Sequence, residues 1–459
     1  MRFPNSRDLN DEQERVYLYA PTDGRMLVTG PPGTGKTVLA VLRALEVAKT
    51  NRTPVLAMFN KVLRTYTGGR NPDRSAAHWE KIRFVTVIQF FSALWDRLGV
   101  PPSKDDESIL LGTPFGEKDE AKSLGAVWDP KSWYPGNRRS GCWKIDGEMY
   151  RRSPAEFARW KPRPNRPTKA DDAKAIDWER YNLALGRHAA SLNWAAIDFE
   201  ILIVDEAQDF PPAFFSLLRR LSEGFFGNET CPSVMILADE NQRIGQDNST
   251  IADIIREMEI SEDRHYRLTT NFRNTSQVAK AAAHFYAGMQ TGLPALPSRT
   301  GPIPELRRCS DRSAVRARVL RYAENNPRHQ IGVICLGSDR VREQYYEDLR
   351  KHAGSNSLVQ TYSSVNSAHE NAAEMEFDRP CVTVLNRASC KGLEFDAVYV
   401  VNLEEAASSG EQADFFKMHM YVMCSRSREN LFLLWNGCEG ASPSVLGLMP
   451  SEPTVRIRG

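Results

Sequence analysis

Apolar residues arrive along this chain in short unbroken runs rather than in strict alternation with polar ones. Met26-Leu27-Val28-Thr29, Val55 to Asn60, Phe84 to Ile88, Ile201-Leu202-Ile203-Val204 and Val234 to Leu237 form one set. Ile331 to Cys335, Val382 to Leu385, Ala397 to Val401 and Leu431 to Trp435 form another. Runs of four to six residues rich in Val, Ile and Leu, separated by helix-length segments such as Asp339 to Lys351, predict strands buried on both faces of parallel sheets. The expected class is therefore α/β, with two tandem parallel-sheet domains. Residues 1–96 and 197–267 form the first, 97–196 a small domain inserted into it, and 268–459 the second. No repeat, heptad or low-complexity tail interrupts this order.

Directly behind the first run stands Gly30-Pro31-Pro32-Gly33-Thr34-Gly35-Lys36-Thr37. A strand feeding a Gly-rich turn that opens a helix at Lys36 brings backbone N–H groups, the positive end of a helix dipole and a lysine to one point. Gly33 and Gly35 supply torsions and a close approach that a side chain would forbid. Lys36 is placed to reach the β- and γ-phosphates of a nucleotide, and the Thr37 hydroxyl to ligate Mg²⁺. The acids needed beside such a loop emerge at the end of the Ile201–Val204 run as Asp205-Glu206-Ala207-Gln208-Asp209. Asp205 would hold Mg²⁺, directly or through water, and Glu206 would orient and deprotonate the attacking water.

Together, the loop and the Asp-Glu-Ala-Gln-Asp sequence resemble the UvrD/Rep-type group of superfamily 1 helicases, whose motor domains are RecA-like. Other segments resemble that group's motifs in the same order. Leu9-Asn10-Asp11-Glu12-Gln13 is similar to the adenine-reading motif, which implies that Gln13, beside Gly30, Gly33, Thr34 and Gly35 of the loop, belongs to an ATP site. Ala238-Asp239-Glu240-Asn241-Gln242 resembles motif III and makes Gln242 the γ-phosphate sensor. Leu268 to Arg273 resembles motif IV, Ser389 to Phe395 motif V and Tyr421 to Arg426 motif VI. The resemblance implies two arginine fingers, Arg273 and Arg426, and a ribose contact at Glu394. It also implies contacts to a nucleic-acid strand at the ends of the early strands and in motif V, near Phe59, Asn60, Thr86 and Ser389.

Three departures fall on the nucleic-acid side of this pattern. The stacking aromatics that follow motif III are replaced by Arg243-Ile244-Gly245-Gln246-Asp247-Asn248, and the histidines of motifs V and Ib by Ala388 and Ile88. The large insert of the second domain is absent, since about fifty residues separate the Ile331 and Val382 runs. The insert of the first domain carries six of the nine tryptophans, and ten Lys or Arg between Arg138 and Lys169 against Asp146, Glu148 and Glu156. Basic residues interleaved with aromatics suit a single strand, with Lys161, Arg163 and Arg166 as candidate phosphate contacts. A small core with a basic linker, or a docking patch for a partner protein, fits the same composition.

The remaining composition narrows the picture. At 459 residues more than one core is expected, and 41% apolar residues is ordinary for a globular protein. No run reaches the ~18 apolar residues of a membrane span, and Met1 to Arg7 lacks the apolar core of a signal peptide, so a cytoplasmic protein with no membrane partner is expected. Eight cysteines without a Cys-x-x-Cys pair, two of them at Cys335 and Cys381 in apolar runs, predict buried free thiols. A net charge of +2 neither requires nor excludes nucleic acid. The readings are an ATP- and Mg²⁺-dependent translocase or helicase, 3′ to 5′ on single-stranded DNA, or with RNA as its polymer; a nucleic-acid-gated ATPase that signals to a partner such as a nuclease, of the size of helicase-like subunits in antiviral systems; or a nucleotide-binding scaffold.

Overall fold

A computed structural model describes residues 9–58, 78–130, 132, 134, 141–169, 172, 175–242, 248–289, 291–354, 357–363, 375–377, 379–406, 412–438 and 443–458. The chain divides into two compact units. One comprises Met1–Thr86, Ile201–Pro212 and Ser233–Gly459, the other Val87–Glu200 and Ala213–Pro232.

The chain begins with β1 (Arg25–Thr29), β2 (Pro54–Met58) and β3 (Arg83–Thr86), and then forms four short strands, β4 (Ser108–Leu111), β5 (Val127–Asp129), β6 (Cys142–Asp146) and β7 (Arg163–Pro164). It continues with β8 (Ile201–Val204), β9 (Ser233–Ala238) and β10 (His265–Arg267). The six strands β10-β1-β9-β8-β2-β3 lie in that order and pair in parallel. A second, wholly parallel sheet follows from β11 (Glu305–Cys309), β12 (Gln330–Cys335), β13 (Val359–Tyr362), β14 (Cys381–Asn386), β15 (Phe395–Val401), β16 (Ser427–Asn436) and β17 (Arg456–Arg458). Its order is β13-β14-β12-β15-β16-β11-β17. Each described apolar run is a strand, and the class is the expected α/β with two parallel sheets. Strands β2, β8, β9 and β14 are buried at every position, as burial on both faces requires.

One boundary differs from the sequence expectation. Phe84 to Ile88 reads as a single strand, yet the ladder ends at Thr86 and a helix, Val87–Leu98, begins at once. Phe90, Phe91, Leu94, Trp95 and Leu98 recur at helical spacing and are buried, so their periodicity claims Val87 and Ile88 for the helix.

In the second unit β5-β6-β4-β7 form an antiparallel sheet. Ile109, Leu111, Trp143, Ile145, Phe157 and Trp160 share its core. Phe91, Trp178 and Phe214 meet edge to face in a separate aromatic cluster. The tryptophans of this region are therefore largely core: Trp143, Trp160 and Trp178 are buried, while Trp128 is half-exposed. Trp133 lies outside the described residues. All eight cysteines are free and six are buried, Cys335 and Cys381 among them. Among the described residues no helix is long and apolar enough to cross a membrane.

Trp160 is 1% exposed, and its Nε1 donates to Glu117 Oε2 at 2.6 Å. Trp160→Ala is expected to lower unfolding stability by about 3–5 kcal/mol. Trp128→Ala, at a 49% exposed ring, should cost about 1 kcal/mol or less. Denaturant midpoints of the two variants check this contrast.

Candidate nucleotide site

In an open parallel sheet, ligands gather at the carboxyl ends of the strands. Here β1, β9 and β8 are neighbours, and the turns leaving them carry Gly30 to Lys36, Asp239 and Asp205-Glu206. Gly33 and Gly35 take φ of +85° and +86°, and the helix Lys36–Lys49 starts immediately after. A Cβ at Gly33 would stand 2.5 Å from Asn271 Oδ1, and one at Gly35 would stand 2.6 Å from Gln13 Nε2. Both positions thus need glycine for backbone and for space.

The loop is braced from three sides. Gln13 Nε2 donates to the Thr34 carbonyl at 3.1 Å, while its Oε1 and N–H exchange bonds with Asn10 in a capping box. Thr34 Oγ1 donates to the Pro31 carbonyl at 2.9 Å, and Phe272 N–H donates to the Gly33 carbonyl at 2.9 Å. Lys36 Nζ lies 2.6 Å from the Gly30 carbonyl and 3.8 Å from Asp239 Oδ2.

The acids stand beside it. Thr37 Oγ1 donates to Asp205 Oδ2 at 2.6 Å, which joins two hard oxygen donors of the kind Mg²⁺ selects. Glu206 sits in left-handed backbone, φ +55°, and its Oε2 accepts from Gln208 Nε2 at 2.7 Å. Burial pushes the Glu206 carboxyl up, but Lys391, Lys36 and Arg426 together hold it below the usual range. Its neighbour Asp205 is pushed up by burial and by the charge of Glu206.

Further groups come from the part of the chain that follows β10. Arg426, 1% exposed, donates through Nη2 to Gln242 Oε1, and Gln242 Nε2 in turn donates to Asp239 Oδ2 at 2.6 Å. Arg273 donates through Nε and Nη2 to Glu394 Oε1 at 2.8 and 2.5 Å, and Arg428 lies 3.3 Å from Glu394 Oε2. Burial raises the Glu394 carboxyl, yet Arg273 and then Arg428 bring it down to about 2. Glu394, implied at a ribose, thus has both oxygens engaged by arginines.

Lys391 and Phe272 are, with Asp239 and Arg428, site residues that sequence reasoning passed over. Lys391 Nζ is 2.6 Å from Asp209 Oδ2, 2.8 Å from the Gln242 carbonyl and 3.6 Å from Glu206 Oε2, fully buried. Its signal was a lone lysine in the buried stretch Ser389 to Phe395, three residues before Glu394. Phe272 is half-exposed and lines the same cavity of about 350 Å³ as Gln13, Lys36, Glu206, Gln242 and Arg426. The glycine cradle and Arg273 Nη1, buried without a partner on the cavity wall, fit a polyphosphate.

The expected nucleic-acid residues are described only in part. Phe59 and Asn60 lie outside the described residues. Thr86 and Ser389 are buried, and Ser389 N–H donates to Asn386 Oδ1 at 2.9 Å. In the second unit Arg163 Nη1 donates to the Asp96 carbonyl at 2.6 Å and Arg166 to Ser92 Oγ, whereas Lys161 is exposed.

No known protein family and no characterised protein matches this chain. Among solved structures, the C-terminal domain of a possible DNA helicase from Lactobacillus plantarum WCFS1 aligns with 41% of this chain and 99% of its own, at 19% identity and a TM-score of 0.29.

Asp209 is raised to about 6 by burial, against the pull of Lys391. A carboxyl raised on folding binds protons more readily in the native state, so its contribution to stability falls as pH rises from about 4 through 6. Lys391→Met removes the compensating cation and is expected to cost about 3–5 kcal/mol at pH 7. Unfolding measured from pH 5 to 8 should show that loss shrinking toward the acid end.

Proposed function

We propose that this chain hydrolyses ATP with Mg²⁺ and couples hydrolysis to movement along single-stranded DNA, 3′ to 5′, in the manner of the UvrD/Rep-type helicases it resembles. The observation that carries the ATP half is the buried series Lys36, Asp239, Gln242, Arg426, in contact from the phosphate loop to a guanidinium beside the second sheet. Such a series gives a terminal phosphate one set of partners drawn from both sheets. Glu206 takes the proton of the attacking water, and the cations around it keep it ionised for that task. Lys36 holds the terminal phosphates, while Thr37 and Asp205 hold Mg²⁺, which when bound neutralises charge on the phosphate oxygens. Arg426 and Arg273 stabilise the charge of the transition state, and Glu394 with Arg428 orients Arg273. Phe272 offers a ring face to the adenine.

A second reading, an ATPase switch that binds a strand of DNA or RNA and signals to a protein such as a nuclease, is favoured by two observations. Thr86 and Ser389 are buried rather than presented to a strand, and no aromatic residue follows Gln242 where the motor group stacks its bases. ATP turnover without polymer, and with single-stranded DNA, single-stranded RNA or duplex, is measured beside strand displacement on a 3′-tailed duplex. Stimulation with displacement supports the motor, stimulation alone supports the switch, and no turnover under any condition defeats both. Glu206→Gln should slow turnover about 10²–10⁴-fold while ATP still binds. Arg426→Ala should lower kcat about 10³-fold or more and shift the Michaelis constant far less. A Glu206→Gln protein within tenfold of the parent would sink the catalytic assignment.

A further inference from the structure

A cavity of about 660 Å³ lies wholly inside the second unit and shares no lining residue with the nucleotide cavity. The helices Val87–Leu98 and Trp178–His188, the strand β4 and the segment that leaves β7 wall it, and its size suits a ligand as large as a nucleotide. Ser92 and Asp96 stand four residues apart on the first of these helices and so share a face. Arg166 Nη1 donates to Ser92 Oγ and Arg163 Nη1 to the Asp96 carbonyl at 2.6 Å, which fixes both guanidinium groups near the Asp96 side chain.

The Asp96 carboxyl is the anomaly. It is half-buried on the cavity wall, and among the described residues no donor bonds it, although two guanidinium groups lie close. Burial pushes it up to about 6, while Arg163 and then Arg166 pull the other way. Arg166 Nε is buried without a partner as well. A carboxylate and an N–H left unpaired so near each other cost stability, and an ordinary ion pair between them would have removed that cost. On the helix Trp178–His188, Arg180 is exposed and its guanidinium pairs with none of the described residues. Trp95, Leu110 and Pro164 add apolar surface to the same cavity.

We propose that this cavity binds a free guanine mononucleotide, with Asp96 accepting from N1–H and the 2-amino group, Arg166 Nε donating to O6 and Arg180 on the phosphate. Guanine sets two donors next to an acceptor on one edge, which answers a carboxylate beside an N–H. Adenine would turn a ring acceptor toward the carboxylate, which repels it. The inserted unit thereby carries a site for a small effector, separate from the phosphate loop and independent of the proposed ATP turnover.

Calorimetric titration of the full chain at pH 8 with GMP, IMP, AMP and guanosine tests the proposal. The parent should bind GMP, should bind IMP about 10–100-fold more weakly for want of the 2-amino group, and should bind AMP more weakly still. Asp96→Asn puts an amide donor where the carboxylate accepted, so it should lose about 100-fold in GMP affinity and gain affinity for XMP, which carries a carbonyl in place of the amino group. Arg180→Ala should weaken GMP severalfold and leave guanosine unchanged. Lys36→Ala, which removes the cation of the phosphate loop, should bind GMP as the parent does, and ATP turnover should be unchanged in Asp96→Asn and Arg180→Ala. A parent that shows no GMP binding at about 1 mM, or that binds IMP or AMP as tightly as GMP, overturns the guanine site. So does an Asp96→Asn protein that keeps GMP or gains nothing for XMP. GMP binding that disappears with Lys36→Ala places the ligand in the phosphate loop and overturns it equally.

Discussion

The Lys391 ammonium, buried between Asp209 Oδ2 and the Gln242 carbonyl, fixes where the loops of the second sheet meet the carboxyl edge of the first. Taking an ammonium out of water costs several kcal/mol, and only well-placed acceptors offset it. Both acceptors belong to segments far away in the chain, 182 and 149 residues from Lys391. The partnership therefore exists only when the two sheets are brought together, and parting them would strand the lysine and its carboxylate at once. Gln242 repeats the logic in small: its carbonyl serves Lys391, its amide oxygen Arg426 and its amide nitrogen Asp239. Assembly of this cluster and docking of the two sheets are one event.

The parallel sheets were legible because burial on both faces leaves short unbroken apolar runs, and helix-length segments between them point to parallel crossovers. The turn between β1 and the helix Lys36–Lys49 was legible because Gly33 and Gly35 answer a backbone demand that other residues cannot meet. What the sequence hid follows from distance and direction. The end of β3 was lost because an apolar run does not say where its ladder stops and a helix begins. Thr86 and Ser389 could be placed at strand ends, but position along a strand does not tell which way a side chain points. The antiparallel sheet of the second unit escaped because β5 and β7 are three and two residues long, too short for any period.

Charge pairing was hidden for the same reason. Glu394 and Arg273 are 121 residues apart, and each alone is an ordinary charged residue. Brought together and joined by Arg428, they form a cluster in which the carboxylate stays ionised despite its burial. Tryptophan left two readings open, since the same ring serves a core as well as a stacking surface, and in Trp143, Trp160 and Trp178 the core took it.

Glu206 stands in left-handed backbone, a conformation that costs a residue with a Cβ about 1 kcal/mol and glycine or asparagine less. The position is therefore held against its own conformational preference, by Gln208 Nε2 at 2.7 Å and by the cations around its carboxylate. Glycine or asparagine would relieve the backbone there, but would take a carboxylate away from Lys391, whose ammonium lies 3.6 Å from Glu206 Oε2.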